Sequence, residues 1–144
     1  MAFGFGSGLS SVAPGTMGSL AAIPLIWGMS YLSSGSYVVL TIAAFLGGIK
    51  ICEVATRDLG VHDHGGIVWD EIVGMMIAFV FVPLNPTSLI IGFLLFRFFD
   101  ILKPWPISEL DRNVHGGLGI MVDDLLAGLF SALLLGLLVF FSII

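Results

Sequence analysis

The sequence predicts an all-α protein: a polytopic membrane helix bundle with about five transmembrane spans and a cytoplasmic N-terminus. Three observations lead there. Hydrophobic residues make up 58% of the 144 residues and charged ones only 10%, against roughly 25% charged in soluble domains. Five apolar stretches approach the roughly 17–25 residues that a helix needs to cross a bilayer. All five Lys and Arg residues fall on or near one side of the alternating topology that these stretches produce. The length allows one domain over residues 1–144.

The first span covers about residues 17–32 and contains Pro24, which should kink it. The second covers about 37–52. The third covers about 67–82 and is stopped by Pro83; the fourth covers about 87–103 and is stopped by Pro104. The fifth, about 120–143, carries no charged residue after Asp124. Alternation puts the N-terminus, residues 51–66 and residues 104–119 on one side. Lys50, Arg57, Arg97, Lys103 and Arg112 lie on or beside it, so the positive-inside rule makes that side cytoplasmic. Tyr31 and Tyr37 flank the far turn, while Trp69 and Trp105 stand at the near boundary, as two aromatic belts would. The net charge of −5 and the lack of a basic patch argue against nucleic acid as a partner. The single Cys52 has no internal disulfide partner, and the Gly- and Ser-rich N-terminus does not read as a cleavable signal peptide.

The ten acidic residues sort to the same side. Asp70 and Glu71 open the third span, Asp100 ends the fourth, and Asp123 and Asp124 open the fifth. Helical spacing places Asp124 on a face with Ala127, Gly128 and Ser131, and Glu71 with Gly74 and Ala78. Small residues let membrane helices approach closely, so both acids should point inward. One acid in a first turn is explained by the helix dipole. A set of five is not, because Asp100 sits at a C-terminal end and converging acids repel unless a cation lies between them. Glu71, Asp100, Asp124, Asp70 and Asp123 are therefore the candidate catalytic and metal-binding residues. Their oxygen-only chemistry suits Mg²⁺ better than zinc.

Candidate phosphate-binding groups surround them. Arg97, Lys103 and Arg112 have the chemistry to hold a phosphate, although Arg97 and Lys103 also stand three residues either side of Asp100, at ion-pair spacing. His62 and His64 precede the third span and His115 the fifth. In "APGTMGSL", Gly15 and Gly18 allow close backbone approach and Thr16 or Ser19 can cap the first helix, whose N-terminus suits an anion.

The stretches "FGFGSGLSSVAPGTMGSLAAIP", "GVHDHGGIVWDEIVGM", "FRFFDILKPWPI" and "DRNVHGGLGIMVDDLLAG" resemble the bacterial phosphatidylglycerophosphatase A family from near the N-terminus to about Gly128. The chain lacks the polar N-terminal extension that members often carry. The resemblance implies a Mg²⁺-dependent lipid phosphatase of the bacterial inner membrane. It would convert phosphatidylglycerophosphate to phosphatidylglycerol and inorganic phosphate at the cytoplasmic face. Direct attack by water activated by the metal is favoured over a phosphorylated aspartate. The partners expected are the phospholipid substrate and the membrane, and the small-residue stripes are compatible with a homodimer. The alternative from another class is a small cation channel or ion-coupled transporter. The almost wholly apolar distal halves of the third and fifth spans count against it. An inert scaffold would leave the acids unexplained, and the aspartate–glycine–alanine–arginine signature of CDP-alcohol transferases is absent.

Overall fold

The structure, a computed structural model, describes residues 1–9, 13–60 and 65–144, which contain helices and no strand. Six α-helices follow a 3-10 helix at Gly4–Leu9: α1 Pro14–Met29, α2 Ser34–Leu59, α3 Trp69–Ala78, α4 Pro86–Leu102, α5 Ile107–Asn113 and α6 Gly116–Phe140. The five expected apolar segments correspond to α1–α4 and α6. Two of them, α2 with 26 residues and α6 with 25, are long and apolar enough to cross a membrane by themselves.

Local chemistry explains where each helix begins and ends. Pro14 opens α1, where its missing N–H costs nothing. Neither Thr16 nor Ser19 caps α1: the cap is Ala13 without a side-chain bond, and the Ser19 hydroxyl donates back to the Gly15 carbonyl at 3.0 Å. Ser33 caps α2, which continues past its apolar stretch through Glu53 and Arg57 because no breaker intervenes before Gly60 at φ 67°. The third apolar segment makes a helix of only 10 residues. Beyond Ala78 the chain tightens into Phe79 N–H to Met76 O (3.3 Å) and Val80 N–H to Ile77 O (3.2 Å), and Pro83 ahead disfavours continued helix. Asn85 and Ser88 form a reciprocal capping box on α4. The helix α5 lies in a stretch expected to be loop, and α6 begins at Gly116 rather than near residue 120.

The short α3 is the core. Every residue from Ile72 to Ala78 is buried, and the helix is packed against α1, α2, α4 and α6. Its contact with α6 is backbone to backbone: a Cβ on Gly128 would stand 2.5 Å from the Gly74 carbonyl oxygen, and one on Gly74 2.9 Å from that of Asp124. The expected stripe of Ala127, Gly128 and Ser131 is buried. Outside, Val39, Leu46, Ile90, Leu94, Ile101 and Leu133 are exposed, the apolar exterior of a membrane bundle. Of the four aromatic residues expected at the belts, Tyr31 and Trp105 are exposed. Tyr37 and Trp69 turn inward instead. The Tyr37 hydroxyl donates to the Met76 carbonyl at 3.0 Å, and the Trp69 indole to that of Ala44 at 3.1 Å, so each satisfies its polar atom inside the bundle.

Candidate functional site

One end of the bundle collects the start of α1, the end of α2, the start of α3, the end of α4 and the N-terminal part of α6. Asp123 lies seven residues after Gly116, about 10 Å along α6 at ~1.5 Å per residue. Asp123 and Asp124 thus stand two turns inside the helix, not at its opening as expected, and both are buried. This rules out helix capping as their role, since the dipole's effect falls off within the first turn. The Asp124 backbone N–H donates to Asp123 Oδ1 at 3.0 Å. Asp124 Oδ1 is buried and accepts no hydrogen bond from the described residues.

Asp70 and Glu71 do open α3. The N-terminal segment holds that opening in place: the Ala2 carbonyl accepts from Val68 N (2.8 Å) and Trp69 N (3.2 Å). Glu71 faces α1, and the glycines of "PGTMGS" make room for it. A Cβ on Gly15 would overlap Glu71 Oε1, and one on Gly18 would lie 2.6 Å from Oε2. From α4, Arg97 Nη1 donates to Asp100 Oδ2 at 2.6 Å and lies 3.5 Å from Glu71 Oε1 and from Ser19 Oγ. That ion pair explains why an acid is kept at the end of α4, where the dipole disfavours it.

Lys103 does not pair with Asp100. Its left-handed backbone, φ 42°, takes it out of helical register. Its Nζ donates to Asp111 Oδ1 at 2.7 Å and to Asp123 Oδ2 at 2.5 Å.

These groups line one cavity of about 530 Å³. Its charged lining consists of Asp70, Glu71, Asp100, Asp111, Asp123 and Asp124 against Arg97 and Lys103. All five predicted acids are therefore brought together, and Asp111, carried in by α5, was missed. Its only sequence signal was its place in "DRNVHGG", since its partner Lys103 lies at no helical spacing from it. Glu53 was missed as well. It accepts the Gly117 N–H at 2.5 Å and so caps α6. Arg112 is exposed on α5 and does not line the cavity. Neither do Thr16, in the first turn of α1, nor His115, the residue before α6. His62 and His64, with Asp63 between them, lie outside the described residues.

Among the described residues no three His, Cys, Asp or Glu side chains converge into a metal cage. Mg²⁺ does not need one, because it keeps several waters and is usually held by one or two carboxylates plus substrate phosphate. Six carboxylates in the lining, with Asp124 Oδ1 buried and without a hydrogen bond from the described residues, fit that mode of binding.

A family model described as phosphatidylglycerophosphatase A matches residues 1–139. The chain is 50% identical over 133 residues to phosphatidylglycerophosphatase A of Escherichia coli, spanning 92% of this chain and 77% of that protein. It is 47% identical over 135 residues to phosphatidylglycerophosphatase A of Haemophilus influenzae, spanning 92% and 83%. A protein of Bacteroides thetaiotaomicron, provisionally named a phosphatidylinositol-3-phosphatase, is 38% identical over 141 residues, spanning 92% and 87%. No solved structure matches the chain.

Proposed function

The chain belongs to the phosphatidylglycerophosphatase A family, and we infer that it hydrolyses the terminal phosphomonoester of phosphatidylglycerophosphate, giving phosphatidylglycerol and inorganic phosphate, in the acidic cavity and with Mg²⁺. The observation that carries the site and the metal is the charge balance of the cavity. Six carboxylates face two cations, and a phosphomonoester arrives with a charge of about −1.5 to −2 at neutral pH. Without a further cation the lining would repel the substrate. Asp124, whose Oδ1 accepts no hydrogen bond from the described residues, would hold the metal together with one of Asp70, Glu71 and Asp123. When bound, Mg²⁺ neutralises charge on the phosphoryl oxygens and makes water a better nucleophile. Arg97 fixes Asp100 and Glu71, so that the carboxylates are positioned before the substrate arrives.

In this reading the five apolar segments cross the bacterial inner membrane, with the N-terminus and the cavity at the cytoplasmic face. The support is the one-sided placement of the cations: Lys50 and Arg57 lie in the second half of α2, Arg97 in the second half of α4, Lys103 just past its end, and Arg112 on α5. A lipid substrate then keeps its tails in the bilayer while its headgroup reaches the carboxylates. The test is phosphate release from phosphatidylglycerophosphate by the purified protein. Chelation is expected to abolish turnover and Mg²⁺ to restore it. Full turnover after chelation, with residual metal shown absent, would refute the metal assignment.

A further inference from the structure

The two cations of the cavity stand in different surroundings. Arg97 is enclosed, its side chain 15% exposed and its Nη1 committed to Asp100, with Glu71 and Ser19 close by. Lys103 is at the mouth. Its side chain is 27% exposed and bridges Asp123 on the inside to Asp111 on the outside, where the Asp111 side chain is 42% exposed on the seven-residue α5. Ile101, Leu102 and Trp105, flanking Lys103, are all exposed. Lys103 is thus the cavity cation that stands where the apolar exterior meets the acidic interior.

A phospholipid has one charged group fixed at such a boundary, the phosphodiester that joins the acyl-bearing glycerol to the headgroup. Phosphatidylglycerophosphate carries this diester in addition to its terminal monoester. Resting on the phosphatase reading above, we propose that Lys103 determines headgroup specificity by taking the substrate's phosphodiester, while the monoester passes on to the carboxylates. In the free enzyme Asp111 occupies the place of that phosphodiester. Asp111 is the partner that yields, because a pair with so exposed a carboxylate is weakly held. Asp123 is buried and stays. A lipid whose monoester is attached directly to diacylglycerol cannot fill both positions and leaves Lys103 with Asp111.

The experiment uses the full chain in detergent–lipid micelles and two inhibitors that each carry half of the recognition. Phosphatidylglycerol has the diester without the monoester, and inorganic phosphate the reverse. Lys103→Met is expected to raise KM for phosphatidylglycerophosphate and weaken inhibition by phosphatidylglycerol, each by about tenfold or more for a lost charge-assisted hydrogen bond. Inhibition by inorganic phosphate stays as in the wild type. Asp111→Asn frees Lys103 from its competitor and is expected to lower KM and strengthen inhibition by phosphatidylglycerol. If Lys103→Met does not give a folded protein, Asp111→Asn decides alone, and an unchanged or raised KM there overturns the proposal. Equal weakening of both inhibitors by Lys103→Met also overturns it and leaves the phosphatase reading intact. A wild type that releases no phosphate from phosphatidylglycerophosphate overturns that reading instead, and the role of Lys103 with it.

Discussion

The carboxylate of Glu71 fills the space that a side chain on Gly15 would need, since a Cβ there would overlap Oε1. Gly15 and Gly18 are a notch in α1 cut to admit an acid from α3. Gly15→Ala should therefore displace Glu71 while leaving the apolar packing of α1 in place. The expected loss is at least ~10-fold in turnover of phosphatidylglycerophosphate, since a misplacement of about 1 Å costs on the order of 10² in rate. Gly28→Ala, on the same helix with nothing within 4 Å, is the control and should keep the wild-type rate.

Asp124→Asn and Glu71→Gln preserve shape and remove charge. Each is expected to lower the rate at saturating Mg²⁺ by at least ~10², the scale of one lost electrostatic contact to a transition state. Asp58→Asn, exposed in the last turns of α2, should have no effect. Near-native rates for both Asp124→Asn and Glu71→Gln, in protein that elutes as a monodisperse peak, would remove the cavity from consideration as the active site.

Glu53 serves the fold, not the chemistry. It caps α6 through Gly117 N–H and does not line the cavity. Glu53→Ala, which removes the acceptor, is expected to destabilise the protein by about 1 kcal/mol, the typical worth of an N-terminal cap. Thermal unfolding in detergent measures that loss, and the rate per folded molecule should be unchanged. A rate loss without a stability loss would assign Glu53 to the site instead.

The orientation has a direct measurement. Cys52 is fully buried, so the native thiol gives a low background to impermeant reagents. A cysteine at Ser34 should be labelled only from outside the inner membrane, and one at Asp58 only from the cytoplasm. The reverse pattern would invert the topology.

Composition and the one-sided charges made the helices and the acidic end legible, because both depend on apolar run length and on which acids cluster. What the sequence hid depended on long-range contact. "HGGLG" reads as loop because glycine is a poor helix former. The structure uses it as helix, since a Cβ on Gly117 would run into the Ile49 carbonyl and the Glu53 backbone of α2. That moved Asp123 and Asp124 from a helix opening to a place two turns inside the helix. Spacing allowed both Arg97 and Lys103 to pair with Asp100, and the left-handed backbone at Lys103, which decides between them, has no local signal. The Ala2 carbonyl that caps α3 could not be seen either, because its partners lie more than sixty residues away.

Helix length has a consequence for the membrane itself. With 26 and 25 residues, α2 and α6 measure about 39 and 38 Å, whereas α1 and α4, with 16 and 17, measure about 24 and 26 Å. A hydrocarbon layer is about 30 Å thick. If α1 and α4 cross as proposed, the bilayer beside them is pinched, at an elastic cost of fractions of a kcal/mol per Å. Lipid headgroups on that flank then sink toward the depth of Glu71 and Asp100, so the surrounding membrane does part of the work of delivering substrate. The thickness of the host bilayer becomes a control on rate, and longer-chain lipids, which resist the pinch, should slow the enzyme without touching any residue of the cavity.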